Sequence, residues 1–462
     1  MQFNTLIYAF FLPLVFLVYW ALRSRTAWQN VWLLAASYVF YGWWDCRFLG
    51  LIAFTSATTM GTALLMERGA RKWWAGVSIV LNVGVLCLFK YYNFFADTLA
   101  GALALAGVHT SWSTLHVVLP VGISFYTFQA LSYTIDVLRR DIKPTRDVVA
   151  FFLYISFFPQ LVAGPIERAA HLLPQLLKGR TFSYPDAVTG MRQILWGLTK
   201  KVVVADQLAG TVDAILYHPA AMAPGSIIMA ALIFAVQIYA DFSGYSDIAI
   251  GSARLFGIQL NANFKYPYFA RNMREMWQRW HISLMEWLRA YVYIPLGGSH
   301  RGKWRTALNV MVVFALSGLW HGASWNFITW GVGNGLLVAL GVLAGARRYS
   351  GDATWRQLPR CALCFVLSAA LFLVFRLSDM TDVADSLRVL AHGDYTARPL
   401  GLTAWLFIVP FMLVEWLGRH REFPLQHLPM PAVARWTVYW GLLALITHFS
   451  MGHDIQYIYF QF

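Results

Sequence analysis

Charge is scarce in this sequence. Asp, Glu, Lys and Arg make up 13% of 462 residues, about half the share found in soluble domains, which argues against a water-soluble enzyme. No polar stretch is long enough to form a separate soluble domain: the longest, Ser378 to Pro399, is about 20 residues, against the 50 or more an independent domain needs. Cysteine is also rare, with four residues and therefore no disulfide framework. Cys361 and Cys364 form a lone C-x-x-C one turn apart at the start of an apolar helix, with no second pair, and read as small buried hydrophobes rather than metal or redox chemistry. There is no G-x-S-x-G elbow, H-E-x-x-H helix, P-loop or dinucleotide fingerprint. The histidines at His109, His171, His300, His448 and His453 lack metal-ligand spacing, so no metal is expected. The amino terminus has neither the basic start nor the small-residue cleavage site of a secretory signal and reads as a retained first helix.

Apolar residues dominate what remains: the chain is 58% hydrophobic and 16% aromatic. Phe10 to Leu22, Val31 to Trp44, Phe48 to Met66, Val77 to Phe95 and Val117 to Leu138 follow one another with short polar breaks, each near the roughly 20 residues that cross hydrocarbon. The fold class is therefore an all-α polytopic membrane protein with about 11 to 13 membrane helices, re-entrant or broken ones included. The chain reads as one integral membrane domain, with amino-terminal helices over 1–147, a core over 148–345 and carboxy-terminal helices over 346–462. A formal charge of +14 fits basic cytoplasmic loops beside anionic lipid, and nucleic-acid binding is not expected. Arg23 and Arg25, then Arg68, Arg71 and Lys72, then Arg139, Arg140, Lys143 and Arg146 follow alternate helices, which predicts an extracytoplasmic amino terminus by the positive-inside rule. After Val148, Pro159, Gly164-Pro165 and Pro174 interrupt the apolar pattern, and a re-entrant element is expected there.

The most informative stretch is Ser317-Gly-Leu-Trp-His321-Gly-Ala-Ser-Trp-Asn326-Phe-Ile-Thr-Trp-Gly331, one imidazole among apolar and small residues. An ionisable group at membrane depth is a functional candidate by default. Desolvation disfavours imidazolium, and a neutral imidazole can act as a general base. The surrounding apolar run, Thr306 to Leu343, is about 38 residues, or roughly 57 Å as one helix, nearly twice the hydrocarbon thickness of about 30 Å. Arg305 and Arg347-Arg348 flank it, so a break or hairpin near Gly318 to Asn326 is expected. The small residues Ser317, Gly318, Gly322, Ala323 and Ser324 serve either close helix packing or room for an acyl chain or acceptor beside the imidazole.

Upstream, Arg271, Arg274, Arg279, Arg289, Arg301, Lys303 and Arg305 interleave with Trp277, Trp280, Trp287 and Trp304. Trp277, Trp280, Leu284 and Leu288 keep helical spacing, as do Arg271, Arg274, Gln278 and His281 on another face, which predicts one amphipathic helix at the cytoplasmic interface. Its arginines suit either the phosphates of a nucleotide-bearing donor or lipid headgroups. Within another apolar helix, Asp241 and Asp247 are six residues apart and do not share a face. They read as anchors of polar networks or partners of the neighbouring arginines, with a proton pathway as the alternative.

These blocks together resemble the membrane-bound O-acyltransferases: Trp-His321-Gly-Ala-Ser-Trp-Asn, Arg279-Trp-His281-Ile-Ser-Leu, Tyr291-Val-Tyr-Ile-Pro-Leu-Gly-Gly-Ser, Tyr239-Ala-Asp-Phe-Ser-Gly-Tyr-Ser-Asp247 and Pro159-Gln-Leu-Val-Ala-Gly-Pro165-Ile. The opening Phe11-Leu-Pro-Leu and closing Ile458-Tyr-Phe-Gln-Phe462 narrow the resemblance to the bacterial alginate O-acetylase branch. The resemblance implies transfer of acetyl from a cytoplasmic donor, acetyl-CoA or an acyl carrier, toward an extracytoplasmic polysaccharide, with no bound cofactor. It places the family's essential histidine on His321 and its second polar position on His281. Arg274, Trp277, Arg279, Ser317, Ser324, Asn326 and Asp241 are the candidates for holding donor and acceptor. His281, if protonated, and the Ser or Asn side chains near His321 are the candidate oxyanion donors.

The resemblance also implies a bacterial inner-membrane location and an extracytoplasmic partner O-acetyltransferase or acetyl-acceptor protein in an export complex. The lack of a soluble domain to bind polymer points the same way, and the lipid bilayer is the other partner. Alginate is the expected final acceptor, with cellulose or peptidoglycan as alternatives. A proton-coupled transporter or flippase would carry inverted repeats between halves, and no convincing one is found. In a non-catalytic scaffold for a secretion complex, His321 would be a core histidine whose replacement damages folding rather than turnover.

Overall fold

The computed structural model describes residues 1–108, 110, 115, 118–162 and 164–450. His109, Val117, Ala163, His453 and the closing Ile458 to Phe462 motif lie outside the described residues. All regular secondary structure among the described residues is helical, as the apolar runs require. The chain divides into two compact units, Met1–Tyr184 with Ala253–Leu260, and Pro185–Ser252 with Asn261–Phe462.

The first unit begins with α1 (Leu6–Ala21), α2 (Thr26–Gly42), α3 (Leu49–Arg68), α4 (Arg71–Leu86), α5 (Tyr92–Leu105) and α6 (Ile123–Arg139). Buried polar pairs tie these helices: Ser78 meets Thr134 at 2.8 Å, and Asn82 Nδ2 donates to Thr59 Oγ1 at 3.1 Å. The proline-interrupted segment breaks into α7 (Val148–Ser156), α8 (Phe158–Leu161) and α9 (Ala169–Leu177). Protein covers its irregular backbone, which non-helical chain in a membrane protein requires. Ser37 Oγ accepts from the Phe158 N–H at 3.1 Å, and Gln160 Nε2 donates to the Tyr154 carbonyl at 2.7 Å.

The second unit contains α10 (Tyr184–Leu198), a π-helical stretch Thr199–Ala205, α11 (Asp206–Leu216) and the long α12 (Pro224–Leu255). Then follow α13 (Met273–Arg279), α14 (Ile282–Leu288), α15 (Gly302–His321), α16 (Trp325–Leu343), α17 (Leu358–Arg376), α18 (Met380–His392), α19 (Trp405–Gly418) and α20 (Ala432–Ser450). Five helical stretches among the described residues are long and apolar enough to cross a membrane: Cys46–Arg68, Arg71–Leu105, Pro224–Leu255, Trp325–Leu343 and Trp355–Arg376. Leu6–Ala21, Val148–Leu161 and Leu402–Gly418 are shorter apolar helices. The protein is a multi-pass membrane protein.

Two sequence expectations are corrected in this unit. The single amphipathic helix expected through Trp277 and His281 is two short helices, broken where Trp280 is extended and His281 takes φ 45°. Of the expected polar face, Arg271 and His281 are buried, whereas Arg274 is half-buried and Gln278 exposed. Asp241 and Asp247 do anchor a buried polar network, one of the readings of the sequence, but their partners are two lysines of the π-helical stretch rather than the neighbouring arginines. Lys201 Nζ is 2.6 Å from Asp241 and 2.9 Å from Asp206, while Lys200 Nζ is 2.5 Å from Asp247.

Candidate active site

The apolar run over 306–343 turns back on itself as a hairpin of α15 and α16, with Gly322, Ala323 and Ser324 between them. His321 is the last residue of α15. Glycine allows the two helices to touch. A Cβ on Gly318 would lie 2.4 Å from the Phe327 carbonyl oxygen, and one on Gly331 would lie 2.4 Å from that of Phe314. A Cβ on Gly322 would strike the Phe327 ring at 2.2 Å. At these glycines the space is filled by α16, so they serve close approach rather than room for an acyl chain.

Aromatic rings enclose His321. Its imidazole packs edge-on against Trp320, Trp330 and Phe375, with centroids 4.7, 5.0 and 5.3 Å away. The turn is pinned by Asn326, whose Nδ2 donates to the Leu377 carbonyl at 2.6 Å and whose Oδ1 accepts from Ser324 Oγ. Ser324 and Asn326 thus tie the hairpin to the end of α17. Ser317, one turn before His321, is buried.

His281 reaches the same neighbourhood from the break between α13 and α14. Its left-handed backbone is held by a distant strand-like pairing, in which Ile282 N–H donates to the Asn263 carbonyl and Lys265 N–H to the Arg279 carbonyl, both at 2.9 Å. The Asn263 side chain fixes the ring. Asn263 Nδ2 donates to Ser246 Oγ at 3.2 Å, which leaves Oδ1 as acceptor for Ser283 Oγ at 2.9 Å and His281 Nδ1 at 3.1 Å. His281 therefore carries its proton on Nδ1, and Nε2 is the lone-pair nitrogen. His281 lies outside the five candidate spans. Burial pushes its imidazole down to about 3, so it is neutral and does not supply a cationic oxyanion donor.

A cavity of about 890 Å³ opens beside these elements. Exposed Arg289, Lys303 and Arg348, with half-buried Arg274, give it a basic rim, while buried Trp277, Val313, Phe314 and Val338 form an apolar interior. Trp277 continues the aromatic path inward. Its Nε1 donates to Asn334 at 3.2 Å, and its ring lies 5.6 Å from Trp330, which packs on His321.

The remaining predicted site residues lie elsewhere. Arg279 is tied to Glu275 at 3.0 Å, Asp352 at 3.5 Å and the Gly351 carbonyl, away from the cavity lining. Asp241 sits in the lysine network.

Comparison with known proteins now bears directly on these helices. The family model of the membrane-bound O-acyltransferases matches residues 139–377, just over half of the chain and the whole of α13 to α17. The chain belongs to the membrane-bound O-acyltransferase family. It is 37% identical over 412 residues to a probable alginate O-acetylase of Azotobacter vinelandii, covering 87% of this chain and 80% of the relative. A peptidoglycan O-acetyltransferase of Helicobacter pylori is 33% identical over 73% of this chain and 70% of its own length. A teichoic acid D-alanyltransferase of Bacillus subtilis is 28% identical over 47% of this chain and 58% of its own length.

Several residues of this acyltransferase that build the site carry no mark in the sequence. Asn263 is one of several amides in a short loop, with Gln259 and Asn261 close by, and Trp320, Trp330 and Phe375 are three among many aromatics. Lys200 and Lys201 do leave a signal, since two adjacent cations inside an otherwise apolar stretch require buried counter-charges.

Proposed function

We propose that this acyltransferase moves acetyl from cytoplasmic acetyl-CoA to an acceptor hydroxyl, for O-acetylation of an exopolysaccharide, alginate, by way of an extracytoplasmic partner protein. The observation that carries the reading is the basic-rimmed cavity whose apolar wall packs, through Trp277 and Trp330, onto His321. The rim arginines and lysine suit the phosphates of CoA, and the interior suits its thioester arm. The alginate acceptor comes from the Azotobacter relative, a probable alginate O-acetylase. The basic rim is placed on the cytoplasmic face of the inner membrane, with the amino terminus outside.

In this reading His321 takes the proton of the acceptor hydroxyl as that oxygen attacks the thioester carbonyl, help typically worth about 10²- to 10⁴-fold. The tetrahedral intermediate then expels the CoA thiolate, to which His321 returns the proton. Neutral His281 accepts a hydrogen bond at Nε2 and orients the acceptor. The test is CoA release from acetyl-CoA by the protein in lipid nanodiscs with its partner supplied, comparing wild type with His321→Ala. Loss of turnover at equal yield and thermal stability supports the reading, whereas equal turnover makes His321 structural and refutes it. The Helicobacter relative makes peptidoglycan the second acceptor to assay.

A further inference from the structure

Ser317 lies one turn before His321 on α15, 1% exposed, and its hydroxyl has no hydrogen-bond partner among the described residues. Four other buried helical serines of this chain donate to the carbonyl four residues back. Ser37, Ser56, Ser252 and Ser368 reach Leu33, Ile52, Ile248 and Cys364 at 2.7 to 2.8 Å. Ser317 and His321 are four apart on α15, and residues at that spacing share a helix face, with Cβ atoms about 5 to 6 Å apart. Across the hairpin, Trp330 packs its ring 5.0 Å from His321, is likewise 1% exposed, and has an Nε1–H with no partner among the described residues.

A buried donor without an acceptor costs stability, and native structures seldom leave one without a reason. Two of them flank a single histidine, the residue that the proposed chemistry places next to a carbonyl gaining negative charge. The other polar side chains at the turn are engaged, Ser324 on Asn326 and Asn326 on the Leu377 carbonyl. His281 is neutral.

We infer that Ser317 Oγ–H and Trp330 Nε1–H receive the thioester carbonyl oxygen as it becomes an oxyanion, making both catalytic residues of the acyl transfer. The assignment rests on the acetyl-transfer reading above. As the acceptor oxygen bonds to the carbonyl carbon, its proton passes to His321 and the C=O π pair moves onto oxygen, where the two donors meet it. Collapse re-forms C=O and breaks the C–S bond, and His321 protonates the leaving thiolate. Neither donor is consumed. Because both donors are buried, little water has to reorganise around them when the charge appears.

Ser317→Ala removes only the unpartnered oxygen, and Trp330→Phe removes the N–H while keeping a ring. Both are to be assayed for CoA release in nanodiscs with partner, with kcat and KM separated and thermal stability measured alongside. Ser317→Ala is expected to lower kcat about 10²- to 10³-fold, with KM for acetyl-CoA within about twofold and a melting temperature no lower than wild type. Trp330→Phe is expected to lower kcat at least about tenfold. A kcat within about threefold of wild type for Ser317→Ala overturns the assignment, as does a rise in KM alone, which marks ground-state binding. Radiolabelled acetyl retained on denatured wild type but absent from Ser317→Ala would make Ser317 a nucleophile and also overturn it. Absence of CoA release by wild type sinks the acetyl-transfer reading itself, and this assignment with it.

Discussion

His281 and His321, far apart in sequence, rest against the same indole: Trp320 lies 5.9 Å from one imidazole and 4.7 Å from the other, ring centroid to ring centroid. Because Trp320 is buried, neither histidine can shift without disturbing a side chain the other depends on. Trp320→Ala is expected to cost about 3 to 5 kcal/mol of stability and to lower kcat about 10²-fold, while Trp320→Phe keeps most of both. Denaturation midpoints and CoA release measured together check this. An active Trp320→Ala enzyme would show that the shared ring is not needed.

The Asn263 contact makes a prediction about pH. Wild-type His281, held down to about 3 by burial, stays neutral between pH 5 and 8 and contributes no inflection there. Asn263→Asp sets a carboxylate against Nδ1, and a neighbouring negative charge favours imidazolium and raises the pKa. Protonation then removes the Nε2 lone pair as pH falls. The kcat/KM profile of Asn263→Asp is expected to gain an acidic limb that wild type lacks; superimposable profiles would deny His281 its acceptor role.

At the hairpin, Gly318→Ala and Gly322→Ala differ in what yields. The Gly318 Cβ would meet a backbone oxygen, and the Gly322 Cβ a side-chain ring. Both overpack a tight contact, typically at about 1 to 3 kcal/mol. Gly318→Ala is expected at or above the upper end because backbone cannot rotate aside. Thermal melts of the two proteins in the same detergent rank them.

The cavity rim is testable through donor affinity. Lys303→Ala and Arg348→Ala each remove one exposed cation from the mouth. They are expected to raise KM for acetyl-CoA about three- to tenfold, with smaller changes in kcat. The wild-type KM should itself rise with salt as the rim charges are screened. A KM insensitive to both would place the CoA phosphates elsewhere.

Lys201 bridges Asp241 and Asp206 with all three side chains buried. Lys201→Met leaves two carboxylates without their cation and is expected to cost about 3 to 5 kcal/mol. Lys201→Met combined with Asp241→Asn should recover part of the loss. A double variant as unstable as the sum of the singles would show that the pair is not coupled.

The hairpin was legible in the sequence because the run from Thr306 to Leu343 is too long for one crossing and has basic residues at both ends. His321 stands out as a candidate in the sequence because it is the lone imidazole in that run. The break at His281 was not. Trp277, Trp280, Leu284 and Leu288 keep helical spacing straight through it, and no glycine or asparagine marks the positive φ, which is imposed by backbone bonds from Asn263 and Lys265. The amphipathic reading of that segment failed for a related reason. Arg271 and Arg279 find Glu275 and Asp352 rather than water, and a partner such as Asp352, remote in sequence, cannot be seen from a periodic pattern.

The length of α15 sets a requirement on any donor. The cavity's inner lining on this helix ends at Phe314, and His321 lies seven residues further on, about 10 Å at 1.5 Å per residue. A compact reagent such as acetyl phosphate, held at the rim by its charge, would leave its carbonyl well short of the imidazole. If the proposed donor holds its anionic head at the rim, only a molecule whose head and reactive carbon are separated by a slender tether can occupy both ends, and the helix then acts as a ruler that selects donors by reach before any chemistry begins.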